Sequence, residues 1–553
     1  MRYFSVFLLA ASACASGQTL TDILHDELER NFAALKKVEP APYYLAYEVT
    51  ENEVQQASAA RGALESNGKS HSRRLDITIR VGSPKLDNYH SVHGEHGQFT
   101  SGIPIPINDA PDAIRLRVWR ETDRAYRLAA QRLTQIKSDT QLKADQSEKP
   151  NDFTMETPSV ANVPPAPIHF EIEPWLPRLR QASASLGEPP NVLISSVSIA
   201  VQREIKYFVD SDGARIEHGR TFSRVSLSAA GKAADGMDLS ASDSFDAADP
   251  AHLPPQEIIL AAAKRVGADL SKLLEAPLAE PFAGPAILSG RAAGVFFHEI
   301  FGHRIEGHRQ KSEDEGQTFA KSVGKPVLPD FLSIAFDPTL RTTAGVDLNG
   351  SYAYDDEGTQ AHRVSLVENG ILKTFLLSRS PLDGFAHSNG HGRRQPGNEV
   401  VSRQSNLIVE SKNQVDDDKL RAMLIAEVKH QQKPYGLFFR DVTGGFTHTQ
   451  RAGLQAFTVI PLVVYRVFPD GRPDELIRGV DIVGTPLASF SKIMATSANS
   501  EVFNGYCGAE SGTVPVSAVS PALLVSEIEI QKRDRAQDRP PLLPRPVDTG
   551  AAR

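Results

Sequence analysis

Residues 289–303 read Ser-Gly-Arg-Ala-Ala-Gly-Val-Phe-Phe-His-Glu-Ile-Phe-Gly-His. Small residues mixed with bulky apolar ones predict a helix that packs closely into a core and holds its polar end rigidly. That end carries two imidazoles and a carboxylate, the groups a hydrolytic zinc site needs: His298 and His303 bind the ion and Glu299 takes a proton from water. The spacing is unusual. Histidines at i and i+4 lie about 40° apart around a helix, whereas i and i+5 puts them about 140° apart. Both can face one ion only if the backbone widens or breaks just before the second, and Gly302 occupies that place.

Upstream of this run, the Pro- and Ala-rich stretch 275–285 reads as a boundary. Before it, apolar residues at helical spacing predict helices over 20–38, 113–136, 175–185 and 254–274. Period-two alternation predicts strands at 43–49, 75–81, 192–204, 206–210 and 220–228, with Asp212-Gly213 as a hairpin turn. After the motif the chain becomes a succession of short strand-like runs between turn residues. The expected fold is therefore α+β: a mixed domain over 18–280, with a mobile Pro-rich insertion near 140–167, and a mostly β domain over 281–532 carrying the motif helix. The Pro-rich, charged tail 533–553 is expected to be disordered.

Composition narrows the function. The 553-residue chain is 40% apolar and 23% charged, with a net charge of −8, which argues against generic nucleic-acid binding. Beyond the first twenty residues no apolar run approaches the roughly 20 needed to span a bilayer. Residues 1–17, with one positive charge, a short apolar core and small residues, read as a secretory signal peptide. The expected location is the periplasm or cell envelope, with Cys14 as a lipidation candidate. Of the two cysteines, only Cys507 would remain after processing. Its neighbourhood, Asn-Gly-Tyr-Cys-Gly-Ala-Glu, reads as a loop, and two explanations stand: a small buried hydrophobe or a metal ligand.

Other polar residues compete for the site. His308, among Arg304, Arg309 and Lys311, reads as solvated surface, and Asp355-Asp356-Glu357 before Gly358 as a solvated turn. Glu306 lies close to the motif. His387 and His391 belong to a glycine-rich loop that could border a cleft.

The segment His298-Glu-Ile-Phe-Gly-His-Arg-Ile-Glu-Gly307 resembles the His-Glu-x-x-Gly-His-x-x-Glu-Gly motif of the TldD branch of the TldD/PmbA metallopeptidases. Further matching segments follow in order: 355–359, 368–373, 389–394, Gly444-Gly445, Cys507-Gly508 and 511–516. The resemblance covers roughly residues 20 to 530. It implies a zinc metallopeptidase acting on peptides or unfolded protein segments, with His298, His303 and Cys507 holding Zn²⁺ and Glu299 as the catalytic base. It also implies a homodimer, or a heterodimer with a PmbA-like subunit. The competing reading is a non-catalytic binding or assembly subunit of such a complex. The family's members are typically cytoplasmic and lack a signal peptide, so the leader departs from its pattern, as do the longer Pro-rich insertion around 140–167 and the Pro-rich tail.

Overall fold

The computed structural model describes residues 18–92, 96–142, 150–311, 315–450, 457–484, 489–533, 539–541 and 543. The leader expected over residues 1–17, with Cys14, falls outside them, as does most of the tail. The fold is α+β, built on two large sheets.

The first sheet rests on long hairpins. Strand β1 (Pro42–Ala60) pairs antiparallel with β2 (Ala63–Ser83), and β3 (Ile194–Asp210) pairs with both β1 and β4 (Arg215–Lys232). Strand β5 (Asp238–Ala247) extends the sheet from β4. Strands β1, β2 and β4 run well past the predicted segments, the predicted 192–204 and 206–210 form the single strand β3, and β5 lies where no strand was predicted. The added length is polar and partly exposed, so it carries no apolar alternation, and pairing with neighbours sustains it.

Two pairs of helices cover one face of this sheet. Helix α1 (Leu20–Leu35), with Thr19 as a side-chain cap, and α2 (Pro111–Leu142) pack on Leu45, Val49, Ile77 and Ile79. On α2 the buried stripe is Ile114, Val118, Ala125, Ala129 and Leu133, and Trp119 points outward, half exposed. Helices α3 (Trp175–Leu186) and α4 (Gln256–Glu275) cover Val197, Ile199, Val225 and Leu227. In the Pro-rich stretch, the described residues include a short strand, Val160–Val163, paired parallel with β4.

The second sheet carries the motif. Strand β6 (Phe282–Leu288) feeds helix α5 (Gly290–Ile300), in which every residue except Arg291 is buried. A helix apolar on all sides must be enclosed, and here the sheet curls around it. Strands β7 (Gly436–Thr447), β8 (Phe457–Val467), β9 (Val480–Gly484) and β11 (Gly512–Lys532) pair in that order, and β6 joins β7 to β11, closing a ring. Strand β10 (Ile493–Ala509) forms a hairpin with β11. No described helix is long and apolar enough to cross a membrane.

The two sheets meet through buried charge. Lys206 pairs with Asp356 and lies 3.5 Å from Glu48, and Arg394 reaches Glu48 at 3.2 Å. Arg379 donates to the Tyr44 hydroxyl and to Asp212. The acidic run at 355–357 is therefore no solvated turn. Asp355 accepts backbone N–H groups of Glu357, Thr359 and Gly392, and Glu357 accepts that of Arg379.

Candidate metal centre

The α-helix of the motif ends at Ile300, Phe301 caps it in the right-handed region with φ widened to −102°, and a 3₁₀ turn follows over Gly302–Ile305. This break, one residue earlier than expected, swings His303 back toward His298, and the ring centroids lie 5.0 Å apart. Gly302 has an ordinary negative φ. What demands glycine is space, since a Cβ there would sit 2.0 Å from the Gln404 side-chain oxygen.

Cys507 reaches this pair from β10. It is a strand residue, paired with Val514 across the hairpin, and not the loop residue its flanking glycines suggested. Its Sγ lies 3.3 Å from His303 Nε2. The donor atoms of His298, His303 and Cys507 all lie within 4.8 Å of one another. Burial would push the Cys507 thiol up, but His303 and His298 outweigh it and hold the group well below the usual thiol range. Two nitrogens and a readily ionised sulfur form a donor set suited to Zn²⁺, so the residues present fit such an ion.

Glu299 is buried, with a carboxylate oxygen 4.0 Å from His303 Nε2. Burial raises its pKa, against the pull of His298 and His303. Strand β7 runs so close that a Cβ on Gly445 would lie 2.6 Å from Glu299 Cγ.

Behind the donors stands a polar layer. Glu306 is fully buried, with Oε2 3.3 Å from His303 Nδ1 and 2.8 Å from Arg309 Nε. Burial would raise its carboxyl, yet His303, Arg309 and Arg403 hold it at about 2. Arg304 is buried too, donating to the carbonyls of Glu299 and Ile300 that the helix end leaves unpaired. His308 bonds Glu510 at 2.8 Å, so this stretch is a bonded wall of the site and not open surface. Its alternating charges hid that, because each cation has a partner distant in sequence.

The centre opens on a cleft of about 1100 Å³ between the two sheets, lined by Arg224, Ser226 and Ser244 on one side and by Glu299, Gly445, Phe446 and Tyr506 on the other. His391 and His387 do not line it. His391 is buried against Ser405, and the side chain of His387 is largely exposed. A second grouping of metal-capable residues, Glu51, Glu53 and His71, is taken up by Arg73 and Tyr207, which both hold Glu51.

Models of the PmbA/TldA metallopeptidase central and C-terminal domains match residues 166–270 and 283–532. The chain belongs to the TldD/PmbA family. A metalloprotease of Methanocaldococcus jannaschii is 29% identical over 231 residues, covering 42% of this chain and 47% of that relative, so the match spans about half of its length. A metalloprotease of Methanothermobacter thermautotrophicus is 24% identical over 453 residues, covering 80% of this chain and 92% of that one. Among solved structures, TldE from Thermococcus kodakarensis shares the fold with a TM-score of 0.61 at 13% identity, over 92% of this chain and all of that one. The family match takes in β3 to β5 of the first sheet and the second sheet, with β1 and β2 outside it, and the three donors and Glu299 all fall within the C-terminal domain.

Proposed function

We propose that the chain is a zinc peptidase acting on peptides or unfolded protein segments. The observation that carries this reading is the convergence of His298, His303 and Cys507 beside the buried Glu299 on the wall of a large cleft. Zn²⁺, when bound by the three side chains, supplies Lewis acidity that polarises a carbonyl and eases loss of a proton from water. In this reading Glu299 takes that proton and delivers it to the departing amine nitrogen, a role supported by its burial, which favours the protonated form needed midway.

Beyond Phe439, β7 pairs only with β8 among the described residues, leaving an edge beside Glu299 where an extended peptide can add as a strand. Backbone pairing of that kind suits unfolded substrates of varied sequence. A two-fold partner, either a second copy or a PmbA-like subunit, belongs to the same reading, supported by the likeness to TldE. Export through the leader is likewise proposed.

The test is zinc content and hydrolysis of a peptide library by wild type and Glu299→Gln. The substitution keeps the metal and should lower turnover at least 100-fold. Unchanged cleavage would remove Glu299 from the mechanism. A zinc-loaded wild type that cuts no peptide would favour the non-catalytic subunit.

A further inference from the structure

Two stretches of chain distant in sequence supply the donors and their backing, and two adjacent buried side chains touch both of them. Arg403, with no exposed surface, donates to the Cys507 carbonyl at 2.6 Å and to Ser511 Oγ and the Gly512 carbonyl at 2.8 and 2.9 Å. Its Nε faces Glu306 Oε1 at 3.5 Å, an ion pair without hydrogen-bond alignment, and the other oxygen of Glu306 meets His303. Gln404 donates to the His298 carbonyl at 3.3 Å, and its side-chain oxygen fills the space beside Gly302, between the two histidines.

We propose that Arg403 and Gln404 form a positioning bracket that sets the mutual spacing of His298, His303 and Cys507. The inference rests on the metal reading above. Neither residue touches the reacting atoms; both act through the donors they hold. The planar guanidinium suits the role, because one rigid fork serves the β10–β11 hairpin on two nitrogens while its third faces Glu306. A lysine ammonium keeps the charge but cannot span both. The preceding residues hold the bracket in turn: the Arg403 N–H donates to the His391 carbonyl, and Arg393 donates to the carbonyl of Gln404.

The test compares wild type, Arg403→Lys and Gln404→Leu by two readouts independent of turnover. One is zinc affinity by competition with a chromophoric chelator; the other is the visible spectrum of the Co²⁺-loaded protein, whose thiolate charge-transfer and ligand-field bands report donor geometry. Circular dichroism establishes folding. The expected result is folded variants with zinc affinity lowered roughly 10- to 100-fold and displaced Co²⁺ bands, the effect being larger for Arg403→Lys. Folded variants that bind zinc within twofold of wild type and give its Co²⁺ spectrum overturn the bracket alone. Failure of both variants to fold also counts against it, since the pair would then support the fold and not the centre. A wild type that binds neither ion overturns the metal reading, and the bracket falls with it.

Discussion

The space a side chain on Gly302 would occupy is already filled by the Gln404 amide. Gly302→Ala is therefore expected to destabilise the protein by about 1–3 kcal/mol through overpacking, and to weaken zinc binding as His303 is displaced. Chemical denaturation and chelator competition check the two effects; a variant matching wild type in both would show that Gln404 simply rotates away. Cys507→Ser should abolish the thiolate band of the Co²⁺ form while leaving the fold intact, because the residue sits in a paired strand where serine is tolerated. At this scale the sequence was informative about His298, Glu299, His303 and Cys507, whose types announce their chemistry and which the fold brings together. It was silent on Arg403 and Gln404. They lie in Ser402-Arg-Gln-Ser-Asn406, five consecutive polar residues that are almost fully buried, and a polar run is ordinarily a turn. The hydrogen bonds of the Arg403 and Gln404 side chains reach residues more than a hundred positions away, which local pattern cannot display.

Helix α5 shows the opposite case, an element whose pattern states its surroundings. Its apolar residues occupy every side, and the structure encloses it accordingly. Phe297 is fully buried and stacks on Phe490 with centroids 5.9 Å apart. Truncation in Phe297→Ala should cost about 3–5 kcal/mol, read as a lowered urea midpoint; a cost below 1 kcal/mol would mean the ring around the helix can collapse onto it. The strands were less legible. The apolar parts of β1, β2 and β4 were found, and β3 over its whole length, whereas the polar extensions of the other three were not. Those extensions are stabilised by cross-strand pairing, such as Gln55 opposite Lys69, and not by a buried face. The helix break was expected from the i, i+5 spacing of the histidines, but its position at Phe301 depends on packing around the Gln404 amide.

On the scale of the whole molecule, the two sheets are joined by ions taken out of water. Lys206→Met would leave Glu48 and Asp356 with one cation fewer at a dry interface, an expected loss of about 3–5 kcal/mol. Equal stability of the variant by calorimetry would show that water reaches the pair. Acid sensitivity has a separate source. Burial, helped by nearby Lys206, holds His218 at about 4, and burial holds His391 at about 3. Both fall below the roughly 6.5 of an exposed imidazole. Below that value the unfolded chain takes up protons the folded chain refuses. The stabilisation is complete above pH ~6.5 and declines by about 1.4 kcal/mol per pH unit for each histidine until the folded values are reached. Urea midpoints between pH 7 and 4 should therefore fall less steeply for His391→Gln than for wild type; parallel lines would assign the loss elsewhere.

Cys507 stands 204 residues after His303, on a hairpin whose second strand closes the ring around α5. A nascent chain still on the ribosome thus exposes its two histidines long before their sulfur partner has been made. Until the last long strand is in place there is nothing to bring the three donors together. On the proposed metal reading, capture is in this way deferred to the end of synthesis, and the ion is drawn from the compartment in which the chain finishes folding.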